Sequence, residues 1–255
     1  MQGKQQVFHF ALGSPACDDD SDDECNMAAT VNDNVTSNSS STRRVSRSAK
    51  RQCIGCSATA TTARAPSKGR AIAHVRMVEL IQELQDTSDH DDTTHYGLFI
   101  WPSAMVLAHF VARYRSSLVR QKVVMEIGCG TGLPGILAAV CGDPKAVFLT
   151  DRSDAIDIQC NVEANIALNG VEGIARFLAL DWGQMALSEE LLSMFQTVDV
   201  LLAADCFYQS EDFEKVIASV ALIFRCNPKC KLYVTYQLRS LTLLTAFVLN
   251  GLQNA

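Results

Sequence analysis

Glu126-Ile127-Gly128-Cys129-Gly130-Thr131-Gly132-Leu133-Pro134-Gly135 continues an apolar run, Val123–Ile127, and leads into the apolar stretch 134–140. A short β-branched run that ends in glycines and passes into a helix-compatible segment is the first strand–turn–helix unit of an α/β sheet. Glycines at 128, 130 and 132 let the backbone turn tightly and approach a ligand more closely than a Cβ would permit. The amides at the following helix start favour an anionic group. The same loop could also be a tight turn with no ligand. Its spacing separates the ligand classes. G-x-G-x-G after an acidic residue is neither the G-x-G-x-x-G of a dinucleotide fingerprint nor the G-K-[ST] ending of a phosphate-cradling loop.

Outward from this unit, strand and helix alternate. Short runs at 146–150, 174–178, 198–203 and 231–236 are apolar and rich in β-branched or aromatic residues, as strands buried on both faces should be. Helical patterns lie near 134–140, 153–168, 189–195 and 211–224. Four successive crossovers predict a mostly parallel sheet with helices on both faces. Upstream, Pro102 suits a first helical position, and Val106, Leu107, Phe110 and Val111 form one stripe of a helix over 102–118. Residues 72–84 fit a short strand at 74–78 or an amphipathic helix equally well.

Open α/β sheets bind ligands at the carboxyl ends of their strands. Asp151 closes the second of these strands, twenty-five residues after Glu126, and is placed to accept both ribose hydroxyls of an adenosine or to cap the next helix. Asp181-Trp182 follows the third, where a carboxylate can take an exocyclic amine while the indole frames a base.

Composition bounds the rest. The chain has 255 residues, 48% of them apolar, with 22 basic and 28 acidic side chains. Residues 1–70 hold nine basic and seven acidic residues, and residues 71–255 thirteen and twenty-one. The acidic body argues against a direct grip on nucleic acid. No apolar stretch reaches the ~18 residues that span a bilayer, and the first ten residues lack the pattern of a signal peptide. Residues 1–70 are expected to be a low-complexity tail, disordered over 11–70, because so few large apolar residues cannot offset the ordering entropy. Within it, Arg43-Arg44-Val45-Ser46-Arg47-Ser48-Ala49-Lys50-Arg51 suits nuclear import, an anionic partner or a solvated linker. Ten cysteines are scattered, several inside apolar runs, and are expected to be reduced thiols. Cys53-Ile54-Gly55-Cys56 and Cys226–Cys230 lack the second pair that a closed zinc site needs, so no metal is expected.

The residues 126–132, Asp151 and Asp181-Trp182 resemble motif I and its following acidic motifs in class I, seven-strand S-adenosylmethionine methyltransferases. Tyr96-Gly97-Leu98-Phe99-Ile100-Trp101-Pro102-Ser103-Ala104 and Asp205-Cys206-Phe207-Tyr208 are similar to the tryptophan-containing segment and the D-x-x-Y/F motif of the non-SET protein methyltransferases. Leu133-Pro134-Gly135-Ile136, Glu211-Asp212-Phe213-Glu214 and Thr235-Tyr236-Gln237-Leu238 add to the resemblance, which covers residues 72–240.

The resemblance implies a Rossmann-like α/β domain over 71–255 that binds S-adenosyl-L-methionine through Trp101, Glu126, Gly128, Gly130, Gly132, Asp151, Asp181 and Trp182. It implies methyl transfer to a side-chain nitrogen, with Asp205 as the carboxylate that localises the acceptor's charge and Tyr208 shaping its pocket. The branch most resembled methylates histone arginine, in nucleus and cytoplasm, with a bearing on transcription. A basic, histone-like substrate suits the acidic body. Lysine or small-molecule acceptors, or a non-catalytic cofactor-binding scaffold, are the alternatives. Two departures stand out. Dedicated arginine methyltransferases present two glutamates where this chain has Asp205, and residues 241–252 read as an apolar helix in place of the strand hairpin that follows the fifth strand of the full fold, so that hairpin is expected to be missing.

Overall fold

The computed structural model describes residues 3–13, 71–80 and 93–237, which fall in one compact unit. Five strands, β3 (Val123–Ile127), β4 (Ala146–Asp151), β5 (Ala175–Ala179), β6 (Val200–Ala204) and β7 (Lys231–Thr235), form a sheet in the order β5-β4-β3-β6-β7, parallel throughout. The α/β expectation thus matches the fold, with strand bounds shifted by a residue or two. Helices α1 (Pro102–Leu118), α2 (Leu133–Cys141) and α3 (Ile156–Leu168) cover one face; α4 (Glu189–Phe195) and α5 (Phe213–Cys226) cover the other. β3, the first strand of the sheet in the chain, is its centre, so the order reverses there and opens a crevice at the carboxyl ends. The register pairs Ile127 with Thr150 on one side and Ala203 on the other, so the segments that follow leave the sheet at one level.

Two helices begin later than their apolar pattern suggests. α3 starts at Ile156 because the Asp181 carboxylate takes both the amide and the hydroxyl of Ser153 (2.8 and 2.7 Å), fixing a turn there. Residues Ser210–Asp212 form a 3-10 turn before α5. α4 follows its expected bounds, with the Ser188 hydroxyl accepting from the Leu191 amide.

The tail expectation needs correction at its start. Gly3–Ala11 is a strand, β1, paired antiparallel with β2 (Ile72–Leu80). Alternation explains the pairing. Phe10, Val75 and Met77 point inward and are wholly buried against α1, α2 and α3, while Val7, His9, Ile72, His74 and Arg76 face out. β2 also resolves the ambiguity over 72–84 in favour of strand as far as Leu80; residues 81–84 lie outside the described residues. The expected disorder over 14–70, the basic run 43–51, Cys53 and Cys56, and the C-terminal stretch from 238 with its hairpin expectation lie outside the described residues.

The edge of β2 away from β1 is satisfied by a helix. Asn161 and Asn165 on α3 and Asn169, which caps its end, recur every four residues, so they stack along one face. Asn169 accepts from the Arg76 amide and donates to its carbonyl; Asn165 accepts from the Val78 amide (2.7 Å), and Asn161 and Asn165 both donate to the Val78 carbonyl. The wholly buried Asn165 also donates to the Thr131 carbonyl in the glycine-rich loop (3.2 Å). Asn165→Ala leaves the Val78 amide and the Thr131 carbonyl without these partners. A loss of about 3 kcal/mol is expected, read by calorimetry as a Tm lower by roughly 6–12 °C. A change below 2 °C would show that water replaces the amide.

Candidate active site

A cavity of about 500 Å³ opens at the carboxyl ends of β3, β4 and β6. Its floor is the glycine-rich loop, and its walls come from residues 96–101, the start of α3, Trp182 and the segment after β6.

At two loop positions, glycine is required by the protein itself. Gly128 has φ +56°, and a Cβ there would lie 2.6 Å from the Trp182 ring and 3.0 Å from Cys206 Sγ. Gly130 has φ +51°, and its Cβ would lie 2.9 Å from the Gly97 carbonyl oxygen. The missing side chains therefore let the indole and the 96–101 segment close on the loop.

Asp151 anchors that loop. Its Oδ2 accepts from the Gly130 amide and its Oδ1 from the Arg152 amide, both at 2.9 Å. Burial pushes its carboxyl above the usual range, opposed by these two amides. Its remaining lone pairs face the cavity, where they can accept two hydroxyls of a diol.

Asp205 follows β6 in the left-handed region, φ +57°, which is costly for a residue with a Cβ. Its amide donates to the Thr235 carbonyl (2.8 Å), and its Oδ1 accepts from the Gln237 amide (3.4 Å). The end of β7 thus holds this buried carboxylate at the cavity. Tyr208 lines the same wall. Burial, with the Asp212 and Asp151 carboxylates behind it, raises its phenol, so the hydroxyl stays a donor. Burial likewise raises Cys129 and Cys206 well above the ordinary thiol value, which keeps them protonated and poorly nucleophilic.

Of the residues read from the sequence, Trp101, Gly128, Gly130, Asp151, Trp182, Asp205 and Tyr208 meet at the cavity. Glu126, Gly132 and Asp181 stand behind its wall. Gly132 precedes α2 with φ +79°, Asp181 holds Ser153, and Glu126 Oε2 accepts from the Gly135 amide (2.8 Å). Sequence reasoning passed over Tyr96, Phe99, Arg152, Ile158 and Gln209, which also line the cavity. Four of them adjoin or lie within quoted motifs, whereas Ile158 reads as ordinary helix core. Among the described residues, no group of three or more His, Cys, Asp or Glu side chains could hold a metal.

The residues present fit S-adenosyl-L-methionine. The volume is that of a small-molecule pocket, Asp151 suits the ribose diol, and Tyr96, Phe99, Trp101 and Tyr208 offer aromatic faces to a sulfonium.

Burial lifts Glu126 from an ordinary 4.5 to about 8. The folded protein keeps this proton where the unfolded chain has lost it, so stability falls as pH rises between those values. At about 1.4 kcal/mol per unit, the burden reaches on the order of 5 kcal/mol above pH 8. Glu126→Gln carries no charge and still offers Gly135 an acceptor. Its Tm should exceed that of the wild type by several degrees at pH 9 and match it at pH 5. A difference independent of pH would place the ionisation elsewhere.

The family described as lysine methyltransferase matches residues 82–247. Among curated relatives, the histone-arginine methyltransferase METTL23 of Mus musculus is 34% identical over 175 residues, 69% of this chain and 62% of that protein. The Homo sapiens METTL23 is 37% identical over 143 residues, 56% of this chain and 72% of that one. The protein-lysine methyltransferase METTL21E of Mus musculus is 32% identical over 137 residues, 53% of each chain. The matched part spans about 60% of the length of several of these relatives. A solved S-adenosylmethionine-dependent methyltransferase from Agrobacterium tumefaciens superposes with a TM-score of 0.45 at 18% identity, over 68% of this chain and 54% of that one.

Proposed function

The chain belongs to the lysine methyltransferase family, and from that premise we propose that it methylates a side-chain nitrogen of a basic protein, an arginine in a histone-like substrate. Its cofactor is S-adenosyl-L-methionine. The observation that carries the proposal is a single cavity holding a diol acceptor, Asp151, at the end of β4 and a buried carboxylate, Asp205, after β6, on the other side of the central strand β3.

The cofactor supplies a methyl group on a cationic sulfur, which makes transfer to a nitrogen lone pair favourable. The chain's residues do the rest. Asp151 and the glycine-rich loop fix the adenosine end, and the aromatic wall of Trp101 and Tyr96 excludes water and favours the positive charge. Asp205 pairs with the acceptor's cation, orients one nitrogen and draws charge away from it. The Tyr208 hydroxyl donates or accepts one hydrogen bond at the pocket wall. A guanidinium keeps its positive charge but sheds one N–H proton from the attacked nitrogen as the C–N bond forms and the S–C bond breaks; an ammonium must release its proton before a lone pair is there to attack.

Arginine is supported by the METTL23 relatives, which are named histone-arginine methyltransferases. Lysine is the second reading, favoured by the family's description, by METTL21E and by the single carboxylate of the motif after β6. Paired histone H3 peptides with arginine or lysine as the only acceptor, incubated with labelled cofactor and read by mass spectrometry, decide between them. Methylation confined to the lysine peptide would overturn the arginine assignment. We also propose residence in nucleus and cytoplasm, for which the basic run 43–51 speaks; its deletion should deplete the nuclear pool.

A further inference from the structure

We propose that Glu79, on the N-terminal ribbon, is a positioning residue of the cofactor site: it seats the 96–101 segment on the glycine-rich loop. The inference rests on the reading of the cavity as the cofactor's place. Glu79 does not line the cavity and belongs to none of the motifs. It is the penultimate residue of β2, on the ribbon's inner face, half-buried. Its two oxygens face opposite ways. Oε1 accepts from the Gln6 side-chain amide of β1, and Oε2 accepts from the Ile100 backbone amide (3.2 Å).

Ile100 immediately precedes Trp101, whose indole donates to the Tyr96 carbonyl (2.9 Å), with the two rings 6.2 Å apart. Residues 96–101 are therefore a closed, self-bonded turn. Gly97 sits in the middle of it, with its carbonyl over Gly130. Leu98 buries its side chain in the core beneath this turn and Ile100 packs beside it, so the seat of the turn depends on these contacts together with its outside hydrogen bonds. The carboxylate of Glu79 supplies one at Ile100, charge-assisted and so stronger than an ordinary amide contact. Gln6 in turn fixes the direction of that carboxylate. Through this relay, a ribbon with no residue in the cavity sets the position of the aromatic wall.

A merely structural residue would lower stability without selectivity for the site, and Asn169 provides the comparison. It ties the same ribbon to α3 at Arg76, away from the cavity. The test uses the full chain as wild type, Glu79→Ala, Glu79→Gln and Asn169→Ala. Cofactor affinity is measured by calorimetry, and amide exchange over 96–104 by mass spectrometry in the absence of cofactor. Glu79→Ala should weaken S-adenosyl-L-methionine at least fivefold and speed exchange over 96–104. Glu79→Gln, which keeps an acceptor for Ile100, should recover most of the affinity. Asn169→Ala should lower Tm while leaving affinity within twofold and exchange over 96–104 unchanged. Equal effects of Glu79→Ala and Asn169→Ala, or unchanged exchange in Glu79→Ala, would overturn the proposal. A folded wild type that binds no cofactor would instead sink the reading of the cavity, and the exchange comparison would still decide whether Glu79 seats the segment.

Discussion

Asp205→Asn is expected to lower the methyl-transfer rate constant by at least about 100-fold, the usual scale for removing one preorganised electrostatic partner, while cofactor affinity stays within twofold. The asparagine is isosteric and keeps an oxygen for the Gln237 amide, so the chain should fold as before. Only the negative charge is lost. Because Asp205 follows β6 whereas the ribose acceptor Asp151 ends β4, the variant should separate transfer from binding. The residue's left-handed backbone supports this expectation: Asn tolerates that conformation, so asparagine adds no strain of its own. Single-turnover transfer to a histone peptide, beside calorimetric binding, is the measurement. Parallel loss of affinity and rate would mean that the carboxylate serves the cofactor rather than the acceptor.

Gly130→Ala should abolish measurable cofactor binding, with a loss of at least about 50-fold. Two effects combine. Alanine at φ +51° is strained by about 1–2 kcal/mol, and its methyl must displace the Gly97 carbonyl, a backbone atom only 2.9 Å away that cannot swing aside as a side chain could. The Asp151-to-Gly130 bond is disturbed by the same shift. Gly173→Ala is the matched comparison. It has nothing within 4 Å and no left-handed backbone, so it should bind normally and be as stable as the wild type or slightly more so. Normal affinity in Gly130→Ala would show that residues 96–101 move freely, against the seating argued for Glu79.

The parallel sheet was legible because its three inner strands, β4, β3 and β6, are buried along nearly their whole length and therefore appear as near-continuous apolar runs, with glycines or acids at their ends. α1 announced itself through Pro102 and its apolar stripe, and α4 through the helical pattern over 189–195. β1 did not. Only Phe8 and Phe10 are large apolar residues on its inner face, and its partner begins beyond residue 71, so no local pattern marks the pairing. Asn161, Asn165 and Asn169 mislead in the same way. Polar residues every four positions read as a solvated helix face, and only the backbone edge of β2 gives them a use. In the site, sequence can place a carboxylate at a strand end but not aim it. Asp151 and Asp205 turn to the cavity, whereas Asp181 turns to Ser153, and Glu126 lies under the start of α2.

The ribbon also has a consequence for the order of assembly. The pairs β3–β4, β4–β5 and β6–β7 are each joined by one crossover, and β3 meets β6 only across the elements folded between them, whereas β1 reaches β2 after closing the sixty residues from 12 to 71. Closing that length costs about 4 kcal/mol of chain entropy, and two strands on their own recover little of it. The ribbon therefore gains its stability by docking on α1, α2 and α3 once these exist. It is thus expected to join last and to part first. Since the ribbon grips Thr131 through Asn165, and Ile100 through Glu79, a chain can possess its whole sheet and still lack a finished binding site. Maturation of that site is then expected to be the closing step of folding, governed by a ribbon whose first strand precedes the whole sheet in the chain.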